Sequence, residues 1–202
     1  MNTLFQVEPV YPDGFFYQPD FLSKEEEDKL MEAVSIIELH NFNFQGFTAN
    51  RKVAGFGYDY AFDNGSVTAG EAIPSSFNLL IEMISEYTAI RPADFEELLI
   101  TEYPPGAVIN WHRDAPPFDI IAGISLMSDC TFRLRPQDQA RQNRSNVISF
   151  PVSRRSLYVI KGPSRSEWQH SIAPVKHTRY SVTLRTLRGR AYLMDDGRAT
   201  GG

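Results

Sequence analysis

Arg179-Tyr180-Ser181-Val182-Thr183-Leu184-Arg185 alternates polar and apolar residues without a break. Successive side chains of a strand point to opposite faces. Arg179, Ser181, Thr183 and Arg185 therefore share one face, and Tyr180, Val182 and Leu184 the other. A surface strand carries the same pattern with its polar face in water. If the apolar face packs on helices, however, the polar face points into a barrel. Two arginines buried there need anionic partners, because an unpaired buried charge is costly to desolvate. An Arg fork grips a carboxylate bidentately, so a dicarboxylic co-substrate suits such a face.

Seven further strand-like runs precede this one, at 98–103, 108–112, 119–127, 130–134, 147–152, 156–161 and 166–172. Turn signals separate them at Pro104-Pro105-Gly106, Pro116-Pro117, Gly162-Pro163 and Ala173-Pro174. Prolines recurring this often exclude a helical reading of the C-terminal half. Upstream, Ser23 and Glu26 form a capping box ahead of a helix whose Leu30, Val34 and Ile37 share one face. A second helix starts near Pro74-Ser75-Ser76. Its Phe77, Leu80, Ile81, Ile84 and Tyr87 follow helical spacing, and Arg91-Pro92 predicts its end. Between the helices, Phe42 and Phe44 alternate, as do Phe56, Tyr58, Tyr60 and Phe62. Alternation predicts a hairpin or flap with one aromatic face, suited to core packing or to stacking flat ligands. The fold expected is α+β: a jelly-roll core at 97–188, N-terminal helices packed on one sheet, and an aromatic-rich lid at about 41–64. These form a single domain over 1–190, followed by a flexible tail at 191–202.

The 202 residues are 42% hydrophobic and 12% aromatic, which supports a folded core and excludes general disorder. The longest nearly apolar run, 120–127, is far short of the roughly 20 residues of a membrane span. The N-terminus lacks a basic segment followed by an apolar one, and Cys130 stands alone. Both point to a reducing cytoplasm. A monomer is expected. Net charge is −5, but residues 1–129 hold 6 Lys/Arg against 21 Asp/Glu, whereas 130–190 hold 13 against 2. Such asymmetry can attract a polyanion, although basic strand edges in water give the same counts and charge alone favours that plainer reading.

The chain has four histidines. His112 and Asp114 in His-Arg-Asp lie two apart, on one face of an extended segment, where both can grip one metal ion. His170, 58 residues later in a strand, is the candidate third ligand. His177 sits in a Lys-His-Thr turn and His40 follows the first helix, so both are expected at the surface. Two His and one carboxylate leave three coordination positions open, the arrangement of non-haem Fe(II) oxygenases.

Five segments stand in the order seen in the AlkB family: Tyr103-Pro-Pro-Gly-Ala, Trp111-His-Arg-Asp114, 155–162, Arg165-x-x-Trp-Gln-His170-Ser-Ile, and Arg179-x-x-x-x-x-Arg185. The chain thus resembles the Fe(II)/2-oxoglutarate-dependent dioxygenases that remove alkyl groups from nucleic-acid bases, over roughly residues 97–188. The resemblance implies iron on His112, Asp114 and His170, with O2 as oxidant. It implies Arg179, helped by Tyr103, on the distal carboxylate of 2-oxoglutarate, and Arg185 near the carboxylate that chelates iron. Two positions depart from the family pattern: Ser181 stands where Asn is common, and Pro116 where many base demethylases carry an acid. Alkylated DNA or RNA is the expected partner, with Tyr58 and Tyr60 stacking bases and Arg133, Arg135 and Arg154 contacting phosphates. A hydroxylase of a protein or small metabolite, and a non-catalytic binding jelly roll, are the alternatives.

Overall fold

The computed structural model describes residues 9–44, 47–60 and 65–189. Its strands are β1 Phe15–Gln18, β2 His40–Phe44, β3 Phe47–Tyr60, β4 Val67–Ala69, β5 Glu97–Tyr103, β6 Ile109–His112, β7 Phe118–Leu126, β8 Cys130–Pro136, β9 Ile148–Val152, β10 Leu157–Ile160, β11 Trp168–Ile172 and β12 Arg179–Leu187. The two long helices are α1 Lys24–Ser35 and α2 Asn78–Thr88. An eight-stranded sheet runs β1-β10-β7-β12-β5-β3-β2, with β4 paired to β3, and a four-stranded sheet runs β6-β11-β8-β9. All the ladders are antiparallel. Among the described residues no helix is long and apolar enough to cross a membrane.

The alternation of β12 decides which side of the large sheet faces what. Val182 and Leu184 join Leu98, Ile100 and Ile124 in a core shared with α1 and α2. The opposite face joins a second core between the sheets, which includes Tyr103, Ile121, Phe132, Tyr158 and Ile160. Each such aliphatic side chain contributes roughly 1.5–3 kcal/mol on burial, so the two cores clamp the large sheet from both sides. Arg179 and Arg185 are thereby forced inward, where Arg179 is 0% exposed.

The helices form for local reasons and are held by packing. Ser23 accepts from the Glu26 amide while the Glu26 side chain accepts from the Ser23 amide, completing the capping box. α1 then buries Leu30 and Val34, and also Glu27. The Glu27 carboxylate accepts from the Met127 amide at 2.8 Å and from Arg154 Nε at 2.7 Å, tying the helix to the sheet. α2 ends on Ala89, a left-handed residue at φ 57°, before Arg91-Pro92 is reached. Pro163 starts a short helical turn at Pro163–Ser166, because proline is tolerated in a first turn. The strand expected from 166 therefore begins at Trp168.

The segment expected as a lid is partly built into the wall. β3 pairs with β5 from Lys52 opposite Glu102 to Gly57 opposite Glu97. At Gly57 the backbone turns to φ 84°, and a Cβ there would strike the Glu96 carbonyl, so only glycine fits. Beyond it, Tyr58–Tyr60 pairs with β4 instead. Phe56 packs on the helix-side core. The bend therefore places Phe56 on the ladder with β5 and Tyr58 and Tyr60 on the ladder with β4. Phe62 and the tail 191–202 lie outside the described residues.

Candidate active site

His112 ends β6 and His170 lies on β11, and the two are directly opposed in that ladder. Their ring centroids are 4.2 Å apart. Asp114 follows β6 by two residues, and its Oδ2 lies 3.5 Å from His170 Nε2. One ligand atom from each of the three falls within 4.8 Å of the others. His177 and His40 are exposed, outside this cluster. His112 Nδ1 lies 2.9 Å from the Asn110 carbonyl; protonated there, it donates to that oxygen and leaves Nε2 free as a ligand.

The electrostatics prepare the group for a cation. Burial raises the Asp114 carboxyl, but Arg185 and then His170 and His112 outweigh it and hold the group well below the usual carboxylate range. Arg185 donates to Oδ1 through Nε at 3.0 Å and NH2 at 2.8 Å. Oδ2 is buried and has no hydrogen-bond partner. Burial, reinforced by His112, pushes His170 down to about 3, so its imidazole is neutral at physiological pH. Two imidazoles and one bare carboxylate oxygen suit a divalent iron ion.

Arg165 lies behind this group, 4% exposed. Its NH2 donates to the carbonyls of Asp114, Ala115 and Phe118 at 3.1, 2.7 and 2.9 Å. One guanidinium thus holds the loop that aims Asp114. Arg165→Ala is expected to weaken Fe(II) or Mn(II) affinity by about 10–100-fold, as loss of a supporting contact typically does; metal titration against the thermal midpoint tests this.

Deeper in the barrel, Arg179 pairs across the ladder with Tyr103 and lies over its ring, 4.9 Å from the centroid. Its Nε donates to Ser125 Oγ at 2.9 Å. NH1 and NH2 are buried and have no hydrogen-bond partner among the described residues. Tyr103 Oη and Ser181 Oγ are 3.4 Å apart beside them. A buried fork with two unused donors suits a carboxylate, so Arg179 would hold one carboxylate of 2-oxoglutarate. When bound, Fe(II), 2-oxoglutarate and O2 supply C–H hydroxylation coupled to formation of succinate and CO2.

Sequence reasoning missed two residues here. Glu97, on β5 opposite Arg185, binds Arg185 NH1, so two carboxylates hold one guanidinium. Burial pushes the Glu97 carboxyl up, against the pull of Arg185. Arg51 of β3 lies over the Phe42 ring at 4.1 Å. An isolated Glu at a strand start and one Arg in a flap carry no motif; only the ladder registers place them.

The other basic residues do not form one track. Arg154, expected at a strand start and on phosphate, instead lies in the turn between β9 and β10 and binds Glu27. Its neighbour Arg155 donates its amide to Ser125, near the Arg179 end of the barrel. Arg188 pairs with Asp119. Arg133 and Arg135 are different. They point outward from β8, with Arg133 5.1 Å and Arg135 4.5 Å from the centroid of Trp111. Arg135 Nε donates to Gln169 at 2.7 Å. Neither pairs with a carboxylate among the described residues.

Comparison with known proteins agrees with this geometry. The family model described as the 2OG-Fe(II) oxygenase superfamily matches residues 14–193. The tRNA (carboxymethyluridine(34)-5-O)-methyltransferase ALKBH8 of Mus musculus is 30% identical over 174 residues, covering 82% of this chain and 25% of that protein. The RNA demethylase ALKBH5 of Bos taurus is 30% identical over 122 residues, covering 54% of this chain and 29% of that one. The chain thus spans about a quarter of the length of these relatives. The structure of OsALKBH1 superposes with a TM-score of 0.67 at 13% identity, covering 88% of this chain and 99% of that one, a likeness of fold. With the His112–Asp114–His170 group and the Arg179 fork in one barrel, the chain belongs to the 2OG-Fe(II) oxygenase superfamily, as an AlkB-type dioxygenase.

Proposed function

We propose that this protein oxidatively removes alkyl groups from bases of a single-stranded nucleic acid, using Fe(II), 2-oxoglutarate and O2. The observation carrying the reading is the Trp111–Arg133–Arg135 group. Two guanidiniums on one indole, without a carboxylate partner among the described residues, offer their edges to phosphate oxygens. They lie on the reverse face of the sheet whose inner face carries His112 and His170, so a backbone held there runs along the outside of the wall that holds the metal ligands. The names of ALKBH8 and ALKBH5 add RNA as the first substrate to test.

The chain's own residues divide the task. His112, Asp114 and His170 would hold the iron, which would supply the O2 chemistry together with 2-oxoglutarate. Arg179 and Tyr103 orient 2-oxoglutarate. Tyr58 and Tyr60, beyond the Gly57 bend, are assigned to stack on a flipped base. Exposed Pro116 brings no acid to an exocyclic amine, so base recognition falls to other groups. The protein works as a monomer in the cytoplasm, in DNA repair or RNA modification.

The test is oligonucleotide affinity across a salt series, with succinate formation on alkylated RNA and DNA. Log affinity should fall linearly with log salt, at about −0.7 per phosphate contacted. Arg133→Ala with Arg135→Ala should flatten the slope by about 1.4 for two contacts, with metal content unchanged. Tyr58→Ala should raise KM for the alkylated strand and leave the slope alone. Salt-insensitive binding, with succinate formed on a protein or metabolite instead, rejects the reading.

A further inference from the structure

One polar group on the inner face has no role in what precedes. Tyr158 of β10 lies directly opposite Gly123 of β7 and is 8% exposed. Its phenol end covers Gly123 so closely that a Cβ there would overlap the ring carbon and hydroxyl. Phe132 packs against the ring with centroids 5.1 Å apart. Phe132 in turn stacks on His170 at 5.6 Å and 7°. The Tyr158 ring is thus fixed between the two sheets, with the glycine making room for it.

The registers locate its hydroxyl. On β12, Gly123 faces Thr183. That rung lies midway between Ser125–Ser181, the level of Arg179, and Ile121–Arg185, the level of Asp114. The hydroxyl therefore enters the channel between the carboxylate fork and the metal ligands. No hydrogen bond joins it to a described residue, and it is not among the fully enclosed polar atoms, so a bound molecule can reach it. Burial, then nearby Tyr103, raises its pKa above the ordinary phenol value, so it remains a donor.

We propose that Tyr158 is a co-substrate-binding residue, its hydroxyl donating a hydrogen bond to 2-oxoglutarate alongside Arg179, in a space that Gly123 keeps open. In the sequence, Tyr158 reads only as an alternating strand residue. The ladder to Gly123 places its oxygen in the channel.

The experiment is calorimetric titration of 2-oxoglutarate into the whole protein loaded with redox-inert Mn(II), without nucleic acid. This makes it independent of the substrate reading. Tyr158→Phe should weaken 2-oxoglutarate about tenfold, the loss expected for a hydrogen bond to a charged group. Mn(II) affinity and the thermal midpoint should stay at wild-type values, and KM for 2-oxoglutarate should rise with kcat nearly constant. Wild-type 2-oxoglutarate affinity in Tyr158→Phe overturns the proposal. So does joint loss of folding and Mn(II) binding, which would make the hydroxyl structural. Gly123→Ala, which displaces the ring, should weaken 2-oxoglutarate too. Adding Tyr158→Leu should restore the thermal midpoint but not the affinity; restored affinity also overturns the proposal.

Discussion

Asp114→Ala is expected to abolish succinate formation and to leave the protein unable to retain Fe(II) or Mn(II). The carboxylate has two oxygens in different circumstances. Oδ1 is held by Arg185, and Oδ2, buried without a hydrogen bond, faces His170. Removing the side chain deletes the one anionic ligand and leaves Arg185 with Glu97 alone. His112→Ala and His170→Ala should fail in the same way, since each removes one of three donors. The loss should exceed about a hundredfold, beyond that typical of altering a group outside the ligand set. His177→Ala and His40→Ala, both exposed, should retain metal and turnover. Metal content after chelation and reloading, with succinate formation beside it, gives the answer. Loss of metal in His177→Ala but not in His170→Ala would refute the ligand assignment.

Arg179→Ala should raise the 2-oxoglutarate requirement at least tenfold while leaving metal binding intact. Arg179 sits two same-face rungs from the level of Asp114, fixed by Ser125 and the Tyr103 ring, with NH1 and NH2 hydrogen-bonded to none of the described residues. A hydrogen bond to a charged group is worth about 1.5–3 kcal/mol, and this fork can make two. Arg179→Lys should rescue poorly, because an ammonium lacks the planar pair of donors. The same calorimetric titration measures both variants. Unchanged 2-oxoglutarate affinity in Arg179→Ala would remove Arg179 from the co-substrate site.

Much of this was legible in one dimension because local chemistry enforced it. The alternation of 179–185 assigns Arg179 and Arg185 to one face whatever packs around them. The Ser23–Glu26 box starts α1 through backbone donors that no tertiary contact supplies. His112 and Asp114 share a face because residues two apart in an extended segment do. The tertiary structure decided whatever depended on strand order and register. Pairing of β11 with β6 put His170 opposite His112. Pairing of β12 with β5 gave Arg185 to Glu97, and pairing of β10 with β7 set Tyr158 over Gly123. The thirteen basic residues of 130–190 read as one class by composition, yet folding divided them by cost. Arg179 and Arg165 were buried against polar partners, and Arg154 was given to the buried Glu27. Arg133 and Arg135 were left half-buried on Trp111, on the outer face of β8 and without a carboxylate among the described residues. A residue's face follows from its immediate neighbours in sequence. Its partner follows from which distant strand lies beside it, and that is settled only when the two cores close.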